Sequence, residues 1–166
     1  MGIEEGKFSL LTAHRASNVD SEDALRGLVR MVRHVAEATD FPTVYPMHPR
    51  TLARIEKAGL ELSNVIVIDP LGYRDFLKLE MSAHLIVTDS GGVQEEACIL
   101  GVPCITLREN TERPETVDVG ANRLVGLDTD RFDEAYAELK VKQGVWANPF
   151  GDGRASERII DIICSG

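Results

Sequence analysis

His84-Leu85-Ile86-Val87-Thr88-Asp89-Ser90-Gly91-Gly92-Val93-Gln94-Glu95-Glu96-Ala97-Cys98-Ile99-Leu100-Gly101-Val102-Pro103 holds one complete structural period of this chain. His84 to Thr88 is apolar and β-branched, which suits a strand. Val93 to Leu100 reads as a helix, stopped by Gly101 with Pro103 just beyond. Pro103 to Leu107 then starts the next strand. Strand, glycine turn, helix and strand make a parallel βαβ unit.

The same alternation extends in both directions. Upstream, Phe8 to Ala13 is the first strand. Leu25, Leu28, Val29, Val32, Val35 and Ala36 follow at helical spacing behind Asp20 or Ser21 as N-cap. Thr43 to Met47 is the second strand, with a helix over Arg50 to Ala58 that stops at Gly59. Val65-Ile66-Val67-Ile68 is a continuous run expected to be buried on both faces. Tyr73 to Met81 is helical. Downstream, Arg123 to Gly126 is a short sixth strand. Helices near Asp130 to Val141 and Ala155 to Cys164 close the pattern. Asn110 to Gly120 is polar and irregular, the kind of long loop that carries function. The expected fold is α/β: one domain over residues 1–166, a doubly wound, parallel six-stranded Rossmann-like sheet with right-handed crossovers. Met1 to Gly6 reads as a linker cut from a longer chain.

Bulk properties narrow the function. The chain has 166 residues, is 43% hydrophobic and carries a net charge of −9. Such a field repels nucleic-acid phosphates, so no nucleic-acid partner is expected. No run approaches the roughly 18 apolar residues of a membrane span, so no membrane role is expected either. Three cysteines, Cys98, Cys104 and Cys164, form no CxxC pair. Cys98 and Cys104 read as buried small hydrophobes in a reducing, cytoplasmic setting. No metal-ligand spacing, Walker motif or GxGxxG turn is present, so neither a metal nor a cofactor is expected.

In a doubly wound sheet, ligands bind beyond the carboxyl ends of the strands. Those ends deliver Thr12-Ala13-His14-Arg15, Pro46-Met47-His48-Pro49-Arg50, Asp69-Pro70, Asp89-Ser90-Gly91-Gly92, and Arg108 followed by Glu112-Arg113-Pro114-Glu115. Ser90-Gly91-Gly92 reads as a phosphate cradle at a helix N-terminus, or as a plain turn capped by Ser90. Glu95 and Glu96 either complement the helix dipole, or one of them accepts from the two ribose hydroxyls; Glu96 has the spacing for that. His14 and His48 are either hydrogen-bonded core histidines or groups that meet a phosphate or a proton. Arg15 and Arg113 are rim salt bridges or phosphate ligands. Phe76 is core, or it stacks on a base.

These residues carry a resemblance. Thr12-Ala13-His14-Arg15, Tyr45-Pro46-Met47-His48-Pro49, Thr88 to Ala97, Gly101-Val102-Pro103, Thr111-Glu112-Arg113-Pro114-Glu115 and Asn148-Pro149-Phe150-Gly151-Asp152-Gly153 span nearly the whole chain. Together they resemble the C-terminal half of the non-hydrolysing UDP-N-acetylglucosamine 2-epimerases. The resemblance implies one half of a GT-B fold, with the active site facing an N-terminal domain absent from this chain. It implies an isomerase that interconverts UDP-GlcNAc and UDP-ManNAc, in polysaccharide biosynthesis, by eliminating UDP and adding it back without a cofactor. Ser90, Gly91 and Gly92 would hold the diphosphate, Glu96 the ribose and Phe76 the uracil. His14 would act catalytically at the leaving phosphate, and Arg113 would add positive charge. In bacterial members, positions matching Arg15 and His48 bind a second, activating UDP-GlcNAc. The family often reads His-Arg-Arg-Glu-Asn where this chain has His14-Arg15-Ala16-Ser17-Asn18, and Phe150 stands where tyrosine is common. The chain alone is expected to bind UDP weakly and to lack activity. Two other readings are a GT-B glycosyltransferase donor domain and a non-catalytic nucleotide-sugar-binding module. An exposed cleft face is compatible with a homodimer.

Overall fold

Each apolar run pairs with others in one parallel sheet in the computed structural model, which describes residues 3–142 and 144–165. The strands are β1 (Ser9–Thr12), β2 (Thr43–Pro46), β3 (Val65–Ile68), β4 (Leu85–Thr88), β5 (Cys104–Thr106) and β6 (Asn122–Leu124). Their order is β3-β2-β1-β4-β5-β6, and every pairing is parallel. The helices are α1 (Ala16–Val19), α2 (Glu22–Ala38), α3 (Pro49–Lys57), α4 (Tyr73–Ser82), α5 (Gly91–Leu100), α6 (Pro114–Asp118), α7 (Thr129–Leu139) and α8 (Ala155–Cys164).

Side-chain alternation along the strands divides the core into two layers. Leu11, Tyr45, Leu85, Val87 and Ile105 face Leu28, Met31 and Val32 of α2 and Phe132 and Leu139 of α7. Leu10, Val44, Ile86 and Cys104 face Val93 and Ala97 of α5. Phe76 and Leu79 of α4 pack on that second layer. Each fully buried Leu, Ile or Phe in these layers contributes about 1.5–3 kcal/mol. Cys98 and Cys104 are buried as expected, and Cys164 is exposed.

Three sequence expectations need correction. The run Val65 to Ile68 is not buried on both faces: β3 is an edge strand, and Ile66 is 36% exposed. A β-branched run reports strand propensity, whereas burial depends on strand order. The stretch from Asn110 to Gly120 is not wholly irregular, since it contains α6, entered through Pro114 at the first helical position. A short helix, α1, also follows β1, where none was expected. Elsewhere boundaries shift by a residue or two. Ser21 is the N-cap of α2, accepting from the Ala24 N–H at 3.1 Å. Met1 and Gly2 of the polar lead lie outside the described residues. Ile3 packs on the second core layer, and the Gly6 N–H donates to the Ser82 carbonyl at 2.8 Å.

Candidate nucleotide site

β1 and β4 lie side by side, yet their connections leave toward opposite faces, with α2 over one core layer and α5 over the other. The strand order reverses at this point, β1 to β3 being added on one side and β4 to β6 on the other, so a crevice opens beyond the carboxyl ends of these two parallel strands. Thr12 and Thr88 are register partners whose hydroxyls hydrogen-bond at 2.7 Å. Asp89 follows, fully buried. Its carboxylate accepts from the His14 N–H at 3.0 Å, the Arg15 N–H at 2.9 Å and the Asn18 side-chain amide at 3.0 Å. Three donors compensate the buried charge and hold the segment after β1 against the segment after β4. The buried Tyr45 hydroxyl donates to the Ala13 carbonyl at 2.6 Å, fixing the same bend from below. Burial, then the nearby Asp89 charge, raises that phenol well above its usual range.

Gly91 and Gly92 open α5 instead of preceding it. Neither has positive φ, so their value here is the missing side chain. A Cβ on Gly92 would meet nothing within 4 Å, so the space above it is clear. Ser90 is the N-cap residue, but its side chain makes no cap hydrogen bond; its N–H donates to the Thr88 hydroxyl at 3.0 Å. A helix start without a side-chain cap presents N–H donors and a partial positive charge to the crevice. Gly101, at φ 75°, closes the helix in the left-handed conformation.

Around this centre the expected site residues separate into groups. His14, His48 and Phe76 line one cleft of about 300 Å³ with Pro70, Leu71 and Val93. The His14 side chain is 63% exposed with Nδ1 3.5 Å from Asp89, which removes the reading as a core histidine. His48 is exposed too, and its Nδ1 accepts from the Arg50 N–H at 3.2 Å as N-cap of α3. Phe76 packs on the second core layer and also lines the cleft. Arg15 instead lines a different cleft, with Asn18, Arg108 and Asn110, and lies 3.6 Å from Glu112. Arg15 and His48 thus line different clefts. Ala16 and Ser17, the two departures from the family pattern, are exposed, while Asn18 keeps its buried contact with Asp89.

The Glu112-Arg113 segment is pinned beside α5. Thr111 donates to Gln94, and Asn122 donates to both Gln94 and Thr116. Arg113 pairs with Glu95 through Nε at 2.7 Å. That is the rim salt bridge considered for Arg113, and it engages Glu95 rather than Glu96. Arg108 grips Glu112 with two bonds of 2.7 and 2.8 Å, holding that carboxyl down at about 2. Glu96, half-buried, is left facing Tyr73 and Glu80 of α4.

Comparison with known proteins fits this geometry. The family model described as UDP-N-acetylglucosamine 2-epimerase matches residues 1–164. The chain belongs to the UDP-N-acetylglucosamine 2-epimerase family. It is 48% identical to the UDP-N-acetylglucosamine 2-epimerase of Methanocaldococcus jannaschii, covering 99% of this chain and 46% of that protein. It is 38% identical to the Bacillus subtilis enzyme of the same name, covering 97% of this chain and 44% of that one. A solved M. jannaschii structure superposes with a TM-score of 0.90 at 46% identity, over 99% of this chain and 47% of that one. Another, described as a complex with UDP-GlcNAc and UDP, matches with a TM-score of 0.84 at 47% identity, over 96% and 46%. An Escherichia coli heptosyltransferase with ADP, 14% identical, shares the fold at a TM-score of 0.56 over 84% of this chain and 46% of that one. The chain spans about half the length of the epimerase relatives it matches.

Sequence reasoning gave no role to Asp89, Asn18, Arg108, Tyr73 or Glu80. Asp89 and Arg108 were legible as strand-end residues. Asn18 was legible only as the retained last residue of the family's motif after β1, and Tyr73 and Glu80 carried no signal, because their importance arises from contacts with segments distant in sequence.

Proposed function

We propose that this chain is the UDP-binding half of an enzyme that interconverts UDP-N-acetylglucosamine and UDP-N-acetylmannosamine. The observation that carries the reading is the junction organised by Asp89. It places His14 and the uncapped start of α5 on one rim of the sheet. A diphosphate seated there accepts from the first N–H groups of α5 and from the Ser90 hydroxyl, with Gly91 and Gly92 admitting it closely. Glu96 lies about one helical turn further on and receives the two ribose hydroxyls. The uracil lies toward Phe76. His14 donates to the diphosphate as the C1–O bond breaks, stabilising charge that grows on the leaving group. Arg113 adds positive charge while tethered to Glu95.

Elimination also removes the proton on C2, and re-addition returns one to the opposite face. A base must lie within hydrogen-bond reach of that proton. We assign that task to the part of the relatives' length that this chain does not span. The complete enzyme is thus two-domained, with His48 and Arg15 lying toward the second domain and toward any activating second nucleotide. Free cysteines accord with a cytoplasmic setting, and no described helix is long and apolar enough to cross a membrane.

The test is calorimetric titration of the chain with UDP and with 2′-deoxy-UDP. Saturable binding of UDP, weakened by Ser90→Ala and Glu96→Ala, is expected. Only Glu96→Ala should erase the preference for UDP over its deoxy analogue. Binding unaffected by either change overturns the placement. Conversion of UDP-GlcNAc by this chain alone would overturn the division of labour.

A further inference from the structure

Glu80 is an anomaly in this fold. It lies near the end of α4, between Leu79 and Met81, and has no exposed surface. Neither of its carboxyl oxygens has a hydrogen-bond donor among the described residues. A buried, ionised carboxylate without donors is strongly unfavourable, whereas an apolar residue would fill the position without that cost. The titratable groups that face it include Glu96 from α5, Tyr73 from its own helix and Cys104 from β5. All of them ionise to anions, so none compensates a charge on Glu80.

We propose that Glu80 is a positioning residue of the nucleotide site: its buried carboxyl carries a proton and donates it as a hydrogen bond to Glu96, fixing the plane of that carboxylate toward the ribose. The proposal rests on the reading of Glu96 as the ribose acceptor. Two carboxyls at close quarters hold one proton between them, because both cannot ionise cheaply. The proton resides on the more buried partner, Glu80. Burial, then the charge of Glu96, pushes its carboxyl up to about 8. Glu96, half-exposed, is the acceptor of that proton's hydrogen bond. It gives one lone pair to Glu80 and one to the neighbouring Tyr73 phenol, which leaves two for the two vicinal hydroxyls. A carboxylate must hold its orientation to accept both, and a buried donor behind it supplies that constraint.

The consequence is a pH dependence belonging to the ribose contact alone. As pH rises through about 8, Glu80 ionises, the hydrogen bond is lost and the two anions repel. The readout is the ratio of dissociation constants for 2′-deoxy-UDP and UDP, which cancels the titration of phosphate and uracil. The chain and its Glu80→Gln, Glu80→Leu and Glu96→Ala variants are titrated from about pH 6.5 to about pH 9. The unaltered chain should favour UDP by about tenfold at neutral pH, the scale of one hydrogen bond to a charged group, and lose that preference at the alkaline end. Glu80→Gln keeps a donor that does not titrate, so its ratio should stay level. Glu80→Leu should lower the ratio at every pH. Carboxyl-carbon NMR of the unliganded chain should show Glu80 titrating far above the usual carboxylate range, and back toward it in Glu96→Ala.

A ratio that Glu96→Ala leaves unchanged overturns the reading of the site, and the role of Glu80 with it. A ratio that falls in Glu96→Ala but not in Glu80→Leu overturns only the positioning role. So does a ratio level with pH in the unaltered chain, or a Glu80 carboxyl that titrates in the ordinary range.

Discussion

The helices α5 and α8 are the same length and both rich in apolar residues, yet they end up in opposite environments. α5 buries Val93, Ala97 and Cys98 against the sheet, and its first residues face the crevice. α8 buries none of its residues, and Ile159, Ile160, Ile162 and Ile163 are all exposed on it. Those four isoleucines have the spacing of an amphipathic stripe. The contacts made near its start are ion pairs from Arg154 to Glu157 and from Arg158 to Asp152, surface pairs that stabilise little. Periodicity therefore specified a helix in both cases. It specified a packing partner within this chain only for α5.

The contrast can be broken most severely at Asp89. Asp89→Ala strands three N–H donors at the β1–β4 junction. It should cost about 3 kcal/mol or more of stability, measured by urea unfolding, and abolish UDP binding. A loss below about 1 kcal/mol would mean that the junction is held some other way. Gly92→Ala separates binding from folding. Its Cβ meets nothing in the protein, so stability should hold or rise by up to about 1 kcal/mol. UDP affinity should nevertheless fall about tenfold or more, equivalent to about 1.4 kcal/mol. Unchanged affinity would remove the diphosphate from this helix start.

The buried face between α4 and α5 should also be the titrating one. Glu80 binds its proton more tightly in the folded chain than in the unfolded one. Its contribution to stability is therefore full below the ordinary value of 4.5 and lost as pH rises through about 8. Glu80→Gln should flatten stability across that window, checked by thermal melts at stepped pH. An unaltered slope would assign the dependence to other groups. The smallest effect belongs to α8. Changing Ile159 and Ile163 to Ser should move stability by no more than about 0.5 kcal/mol, since neither side chain is buried. A large loss in a urea titration would show that α8 packs on this domain after all.

Much of this architecture was legible from local pattern. Alternating apolar runs and amphipathic stretches gave the strands and the long helices, and Gly101 with Pro103 marked the end of α5. The strand-end positions of His14, His48 and Ser90 gather them on one rim. The motifs at those strand ends then point to the family. What escaped the reading depended on distant segments meeting. The Val65 to Ile68 run looked central but forms an edge strand, because strand order is set by which crossovers pack and not by composition. Arg113 reads from sequence as a phosphate ligand or a salt bridge, and only the pinned loop brings it to Glu95.

Sequence alone determined the repeating unit, the faces of its helices and the residues available at the strand ends, because side-chain periodicity and turn chemistry act over a few neighbouring positions. The tertiary structure alone decided that Asp89 ties β1 to β4, that Glu80 has its ionisable neighbour in Glu96, and that the isoleucines of α8 stay exposed. Each of these depends on burial and on charges brought together from far along the chain, where desolvation rather than local propensity sets the energy.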